Sequence, residues 1–193
     1  YIGQSAFSEP ETAAIKNLVE SKGGWKAHID LHSFGQLILG PWAHSNDEPP
    51  RVREIDGFGS GLKEAIEGVN GEIYRYGRGQ SGLLYLASGV APDWTFSKGI
   101  MAVTIELRPS HSLFGGFELP AKDILPTARE IYSGVEFLIR YANDTSIALE
   151  IEPVPDQDEN IPLPSRGLRP SSITLIATIS SLGLVVLALV FLD

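Results

Sequence analysis

The chain has 193 residues, 43% hydrophobic and 20% charged, a balance that fits one folded domain with a further segment attached. A net charge of −9 and the lack of any basic run argue against nucleic acid as a partner. With no cysteine, disulfides, thiolate catalysis and cysteine-based zinc sites are excluded. The single methionine is Met101, so the chain lacks an initiator and reads as a fragment or processed piece.

Ser8-Glu9-Pro10-Glu11 predicts a helix start, with Ser8 and Glu11 spaced as a capping box and Pro10 in the first turn. Ala13, Ala14, Leu18 and Val19 give that helix its apolar face, and Lys22-Gly23-Gly24 ends it. Trp25–Phe34 alternates as a strand. Trp25, Ala27, Ile29 and Leu31 make its apolar face, and Lys26, His28, Asp30 and His32 its polar one. A short strand is expected at Gln36–Leu39, then a polar loop over 43–50. Arg51–Val69 has helical periodicity, weakened by Gly57, Gly59 and Gly61. Residues 70–99, rich in Gly, Ser and Tyr, read as loop with short elements, and a loop that long is often functional.

Ile100–Ser110 reads as a buried strand that ends in charge. Met101, Val103, Ile105 and Leu107 form a wholly apolar face, while the other turns polar at Glu106 and Arg108. Ligands gather at the carboxyl ends of strands in open α/β sheets, so Glu106 is a candidate general base. The same pattern also fits a plain Arg–Glu pair on a half-exposed face. Pro120–Tyr141 then repeats apolar residues at helical spacing.

Beyond residue 142 the character changes. Residues 143–172 are rich in proline and acid and read as an extended linker that carries the sequon Asn143-Asp144-Thr145. Ile173–Leu192 has no charge and is long enough for a membrane-crossing helix, either a retained anchor or the signal for a lipid anchor. Either places the protein on the secretory route, anchored at a cell surface.

Several segments together resemble one family. Ala27–Leu39, AHIDLHSFGQLIL, is similar to the segment carrying the third metal ligand in zinc carboxypeptidases of the A/B type. Tyr85–Trp94, YLASGVAPDW, resembles that family's substrate-capping loop, and Thr104–Arg108, TIELR, its catalytic-base strand. Ser5–Glu11 and Leu119–Ala128 are similar to it as well, and the order agrees. The resemblance covers residues 1–142. It implies an α/β fold: part of a mixed twisted sheet flanked by helices, carboxypeptidase-like with the N-terminal half missing, followed by the C-terminal hydrophobic helix.

The resemblance also implies roles. His32 matches the third zinc ligand, with Zn2+ as cofactor, and Glu106 the general base that takes a proton from water and gives it to the leaving amine. Tyr85 matches the tyrosine that closes over the substrate. Ser33, Phe34 and Phe117 are implied to contact substrate, with Phe34 standing where the family commonly has Tyr. Arg108 is implied to support the active-site wall. Ala43 and Pro92 match the pocket for the terminal side chain, and neither carries a charge. That implies removal of apolar or aromatic residues from the C-termini of peptides and proteins. Asp93 matches a residue shared across the family. The family also has a cis bond after the arginine matching Arg108, and Pro109 follows here, so Arg108–Pro109 is expected to be cis.

The remaining metal ligands, expected as an HxxE motif, do not occur in this chain. Four residues into such a motif, His28, His32, His44 and His111 meet Leu31, Gly35, Asp47 and Phe114. Catalytic zinc sites normally use three protein ligands, so the chain alone is expected to be inactive and its sheet to have an open edge. The alternative is a cell-surface module that holds peptide ends without cleaving them. A third reading is a tail-anchored α/β domain of other function.

Overall fold

The computed structural model describes residues 3–79, 85–111 and 116–153, and the backbone of 186–191. Helix α1 spans Pro10–Ser21 and differs at its start from the expected capping box. Glu9 is the cap residue, with no side-chain cap bond, and Pro10 opens the first turn. The Ser8 hydroxyl instead accepts the Gln4 N–H at 3.0 Å and donates to Glu9 at 2.8 Å. Proline's fixed φ already suits the first helical turn, so Pro10 begins the helix without a hydroxyl cap.

Strand β1 is Trp25–Ser33 and β2 is Leu37–Gly40. Helix α2 covers Val52–Asn70. The Gly-rich stretch after it contains β3, Arg75–Arg78, and α3, Ala91–Ser97. The central strand β4 is Met101–Leu107, and α4 runs from Ala121 to Asn143. Among the described residues, three peptide bonds are cis: Ser33–Phe34, Pro41–Trp42 and Arg108–Pro109.

With β5, Val186–Phe191, the strands lie in the order β3-β2-β4-β1-β5. The sheet is mixed: β1 runs parallel to β4, while β2 runs antiparallel to β4 and parallel to β3. One face of β1 sends Ala27, Ile29 and Leu31 into a core shared with Ile55, Phe58, Leu62 and Ile66 of α2 and Phe137, Leu138 and Tyr141 of α4. The other face carries His28, Asp30 and His32, and His28 meets Thr95 of α3 at 2.8 Å.

The glycines that weaken the α2 pattern are where other parts of the chain press against that helix. A Cβ at Gly57 would overlap the Ala148 carbonyl, one at Gly59 the Tyr76 ring, and one at Gly61 the Phe137 ring. Gly57 thus admits the one-turn helix α5, Ile147–Glu150. Ala148 is fully buried there, with Ile147 and Ile151 packed against the core, so packed residues continue past 142.

The expected helix over 173–192 is not the conformation found at 186–191. There the backbone is β5, antiparallel to β1 from Trp25↔Phe191 to Leu31↔Val186; residues 173–185 lie outside the described residues. An unpaired strand edge offers a row of N–H and C=O groups, and a charge-free run of Val, Leu and Phe readily adds to it. Among the described residues no helix is long and apolar enough to cross a membrane. Asn143 of the sequon is exposed in the last turn of α4.

Candidate active site

Parallel pairing of β1 with β4 brings both carboxyl ends to one edge of the sheet, and the register sets His32 directly beside Glu106. Residues in register share a face, so the two side chains emerge together. Asp30, two positions earlier on that face, meets His32 Nε2 through Oδ2 at 3.0 Å. This bond holds the imidazole above its ordinary pKa, against the opposing effect of burial. Glu106 is largely enclosed. Burial pushes its carboxyl up to about 7, with His32 pulling the value down and Asp30 pushing it up. Among the described residues, Glu106 Oε2 and Asp30 Oδ1 are buried without hydrogen-bond partners. Buried polar atoms in native proteins have partners, so this face is built to meet something more than these residues.

Tyr85 joins the same place. Burial first, and then the charge of Glu106, raises its phenol, so the two groups lie within electrostatic reach. Its ring is half exposed. The segment holding it is tied down at Ala87, whose N–H donates to the Ala43 carbonyl at 2.9 Å. Ala43 is itself held: its N–H donates to Asp93 at 2.9 Å, and the His44 ring meets the same carboxylate at 2.6 Å. Pro92 is buried beside Asp93 in the first turn of α3. The HxxE look-alike at His44 is therefore resolved differently, because His44 bonds Asp93 and the Asp47 N–H turns to the Ser45 hydroxyl.

Phe34 and Phe117 pack edge to face, 4.9 Å between centroids, with Phe117 well exposed. Ser33 closes β1 opposite Leu107. Arg108 does not pair with Glu106. The charges acting on Glu106 are those of His32 and Asp30, whereas Arg108 forks onto the fully buried Glu130 of α4. The sheet ends at Leu107, and beyond it the alternation that would set Arg108 beside Glu106 no longer applies.

His28 lies deeper on the site face, fully buried, and burial pushes it down to about 4 with Asp30 opposing. The Thr95 hydroxyl lies 3.2 Å from the carbonyls of Ala91 and Pro92, to which it can donate. It then accepts from His28 Nδ1, so His28 is a neutral structural imidazole. Sequence reasoning missed Glu130. It falls on the buried stripe of α4 between Thr127 and Ile131, and that spacing was the available signal.

The donor set fits zinc as one ligand of several. With Nε2 engaged by Asp30, His32 keeps Nδ1 for a metal, the usual arrangement in which a carboxylate orients a liganding histidine. Among the described residues no group of three such side chains converges as a metal site.

The site thus sets a histidine and a carboxylate side by side at the ends of adjacent parallel strands of a mixed sheet, with a half-exposed tyrosine in electrostatic reach of the carboxylate. The family profile described as "Zinc carboxypeptidase" matches residues 1–134, and the chain belongs to that family. It is 37% identical to carboxypeptidase A5 of Macaca fascicularis over 142 residues, 73% of this chain and 32% of that protein. Carboxypeptidase A1 of Bos taurus is 36% identical over 136 residues, 70% of this chain and 32% of that protein. Among solved structures, bovine thrombin-activatable fibrinolysis inhibitor in complex with tick carboxypeptidase inhibitor gives a TM-score of 0.66 at 29% identity, covering 74% of this chain and 48% of that one. Carboxypeptidase A from Helicoverpa armigera gives 0.64 at 27% identity, covering 72% and 36%. The chain spans about a third of the length of the curated relatives it matches.

Proposed function

We propose that this chain is part of a zinc-dependent carboxypeptidase and that it supplies one metal ligand, His32, and the general base, Glu106. The observation that carries this reading is the register pair His32↔Glu106, with Glu106 Oε2 buried and unpartnered among the described residues. Zinc, when bound, supplies a Lewis acid that makes a neighbouring water acidic and polarises the scissile carbonyl. Glu106 accepts the proton from the water and passes it to the departing amine nitrogen. A carboxyl near pKa 7 suits both steps, since it is basic enough to take the proton and acidic enough to release it. Asp30 orients His32. Tyr85 covers the substrate from the solvent side, while Phe34 and Phe117 line its approach.

The terminal side chain would sit against Ala43 and Pro92. Asp93 is close by, but its carboxylate is occupied by the Ala43 and His44 N–H groups and the His44 ring. Among the described residues no free charge there would pair with Lys or Arg, so apolar or aromatic C-terminal residues are the substrates in this reading. The remaining ligands and the groups that grip the substrate carboxylate would come from upstream of Tyr1, and these residues alone would not turn over. The same reading places the protein on the secretory route, where the exposed Asn143 is open to glycosylation; the intact mass before and after removal of N-linked glycan checks it.

The test is Glu106→Gln in the full-length protein. Turnover of peptides ending in Phe or Leu should be lost while zinc stays bound. Activity within a few-fold of wild type overturns the role. A wild-type protein that binds zinc and peptide ends without cleaving them would be a binding module instead.

A further inference from the structure

Glu130 is a carboxylate with no solvent exposure, in the middle of a helix. Such a group is tolerated only when it is paired and hydrogen-bonded. Its partners come from separate elements. Arg108 donates to both its oxygens, Nε to Oε2 at 3.0 Å and Nη2 to Oε1. Asn70, the last residue of α2, donates to Oε1 at 2.7 Å, and the buried Tyr74 hydroxyl lies 3.5 Å from Oε2. The remaining nitrogen of Arg108, Nη1, meets Glu72 at 3.3 Å. One buried cluster thus joins the end of β4, the middle of α4, the end of α2 and the approach to β3.

Its place along the chain gives it consequence. Only Leu107 separates Arg108 from Glu106. The last sheet bonds on this side are made by the Leu107 carbonyl, which accepts from Gly35 at 2.9 Å and Gln36 at 3.2 Å. Beyond that carbonyl, the strand end is anchored through the Arg108 side chain. We propose that Glu130 is a positioning residue for the Glu106 carboxylate and acts through the Arg108 fork. This rests on the reading of Glu106 as general base. A reacting group misplaced by about 1 Å loses on the order of 100-fold in rate, so a fixed strand end matters to that role.

The experiment compares Glu130→Gln, Arg108→Lys and Leu138→Ala in the full-length protein. Gln keeps the volume of Glu130 but removes its charge, and a lysine ammonium cannot form the fork. Glu130→Gln should lower kcat by about 10-fold or more, with KM within about threefold and zinc content unchanged. Arg108→Lys should fall between it and wild type. Leu138→Ala, buried in the same helix, should lower Tm at least as far and leave kcat within about threefold. Equal kcat losses in Glu130→Gln and Leu138→Ala would overturn the inference, as would an unchanged kcat in Glu130→Gln. If wild type shows no turnover, the peptidase reading fails, and the crystal structure of Glu130→Gln decides this inference alone. Displacement of Glu106 by about 0.5 Å supports it, and an unmoved Glu106 overturns it.

Discussion

The two faces of β1 are built from one alternating sequence and do opposite work. On one, Ala27, Ile29 and Leu31 join a core whose elements approach α2 closely enough that three of its glycines have no room for a methyl group. On the other, His28, Asp30 and His32 stand in a row against α3 and Glu106, and buried polar atoms are left without partners among the described residues. The first face is complete in itself. The second is held in place by the first and directed outward to chemistry. The difference teaches that stability and function divide by strand parity at the carboxyl end of β1, while His28, deeper on the site face, remains structural.

The largest expected effect lies on the site face. Glu106→Gln in the full-length protein should cost about 10²–10⁴-fold in kcat, with Tm unchanged or raised because a buried carboxyl is neutralised. Steady-state kinetics and a thermal melt check both halves; a large fall in Tm would break the division between faces. Next comes acid stability through His28. The unfolded chain takes up this proton near pH 6.5, the folded one only near 4, so the contribution of His28 to stability falls as pH drops through that window and stays lost below it. The loss is about 3 kcal/mol. The raised Glu106 carboxyl acts in the opposite direction over the same range, so the test is a comparison: between pH 7 and pH 4, urea unfolding of His28→Asn should change by about 3 kcal/mol less toward instability than that of wild type.

On the core face, Gly57→Ala should destabilise by about 1–3 kcal/mol, because the methyl group would drive α5 off α2. Gly68→Ala in the same helix meets nothing within 4 Å and should stabilise by about 0.5–1 kcal/mol. Opposite signs from one substitution in one helix sharpen the claim that packing sets the role of these glycines. Smallest is Tyr85→Phe, expected to raise KM a few-fold, worth about 1 kcal/mol for one lost hydrogen bond, with kcat nearly kept.

Much of this was legible because strands have period two. The alternation of Trp25–Ser33 and Met101–Leu107 put His32 and Glu106 on polar faces at strand ends, and the resemblance around them supplied their roles. The pairing that sets them side by side was not legible, since register is decided between distant segments. The Arg108–Glu106 pair that the alternation also allowed does not form, because the strand ends at Leu107. Glu130 was passed over because a carboxylate on a helix normally reads as solvent-facing, and its partners Arg108 and Asn70 lie 22 and 60 residues away. The tail at 186–191 shows the same limit: length and hydropathy predict a helix, and an open edge of β1 takes a strand.

The most direct test of the central claim is the zinc content of the full-length protein, wild type against His32→Ala, by metal analysis after dialysis. The account predicts one zinc per chain in wild type and a loss of most of it in the variant, since His32 would be one of only a few ligands. Equal zinc in both proteins, or none in wild type, would contradict it and leave His32 as a strand-end histidine paired with Asp30.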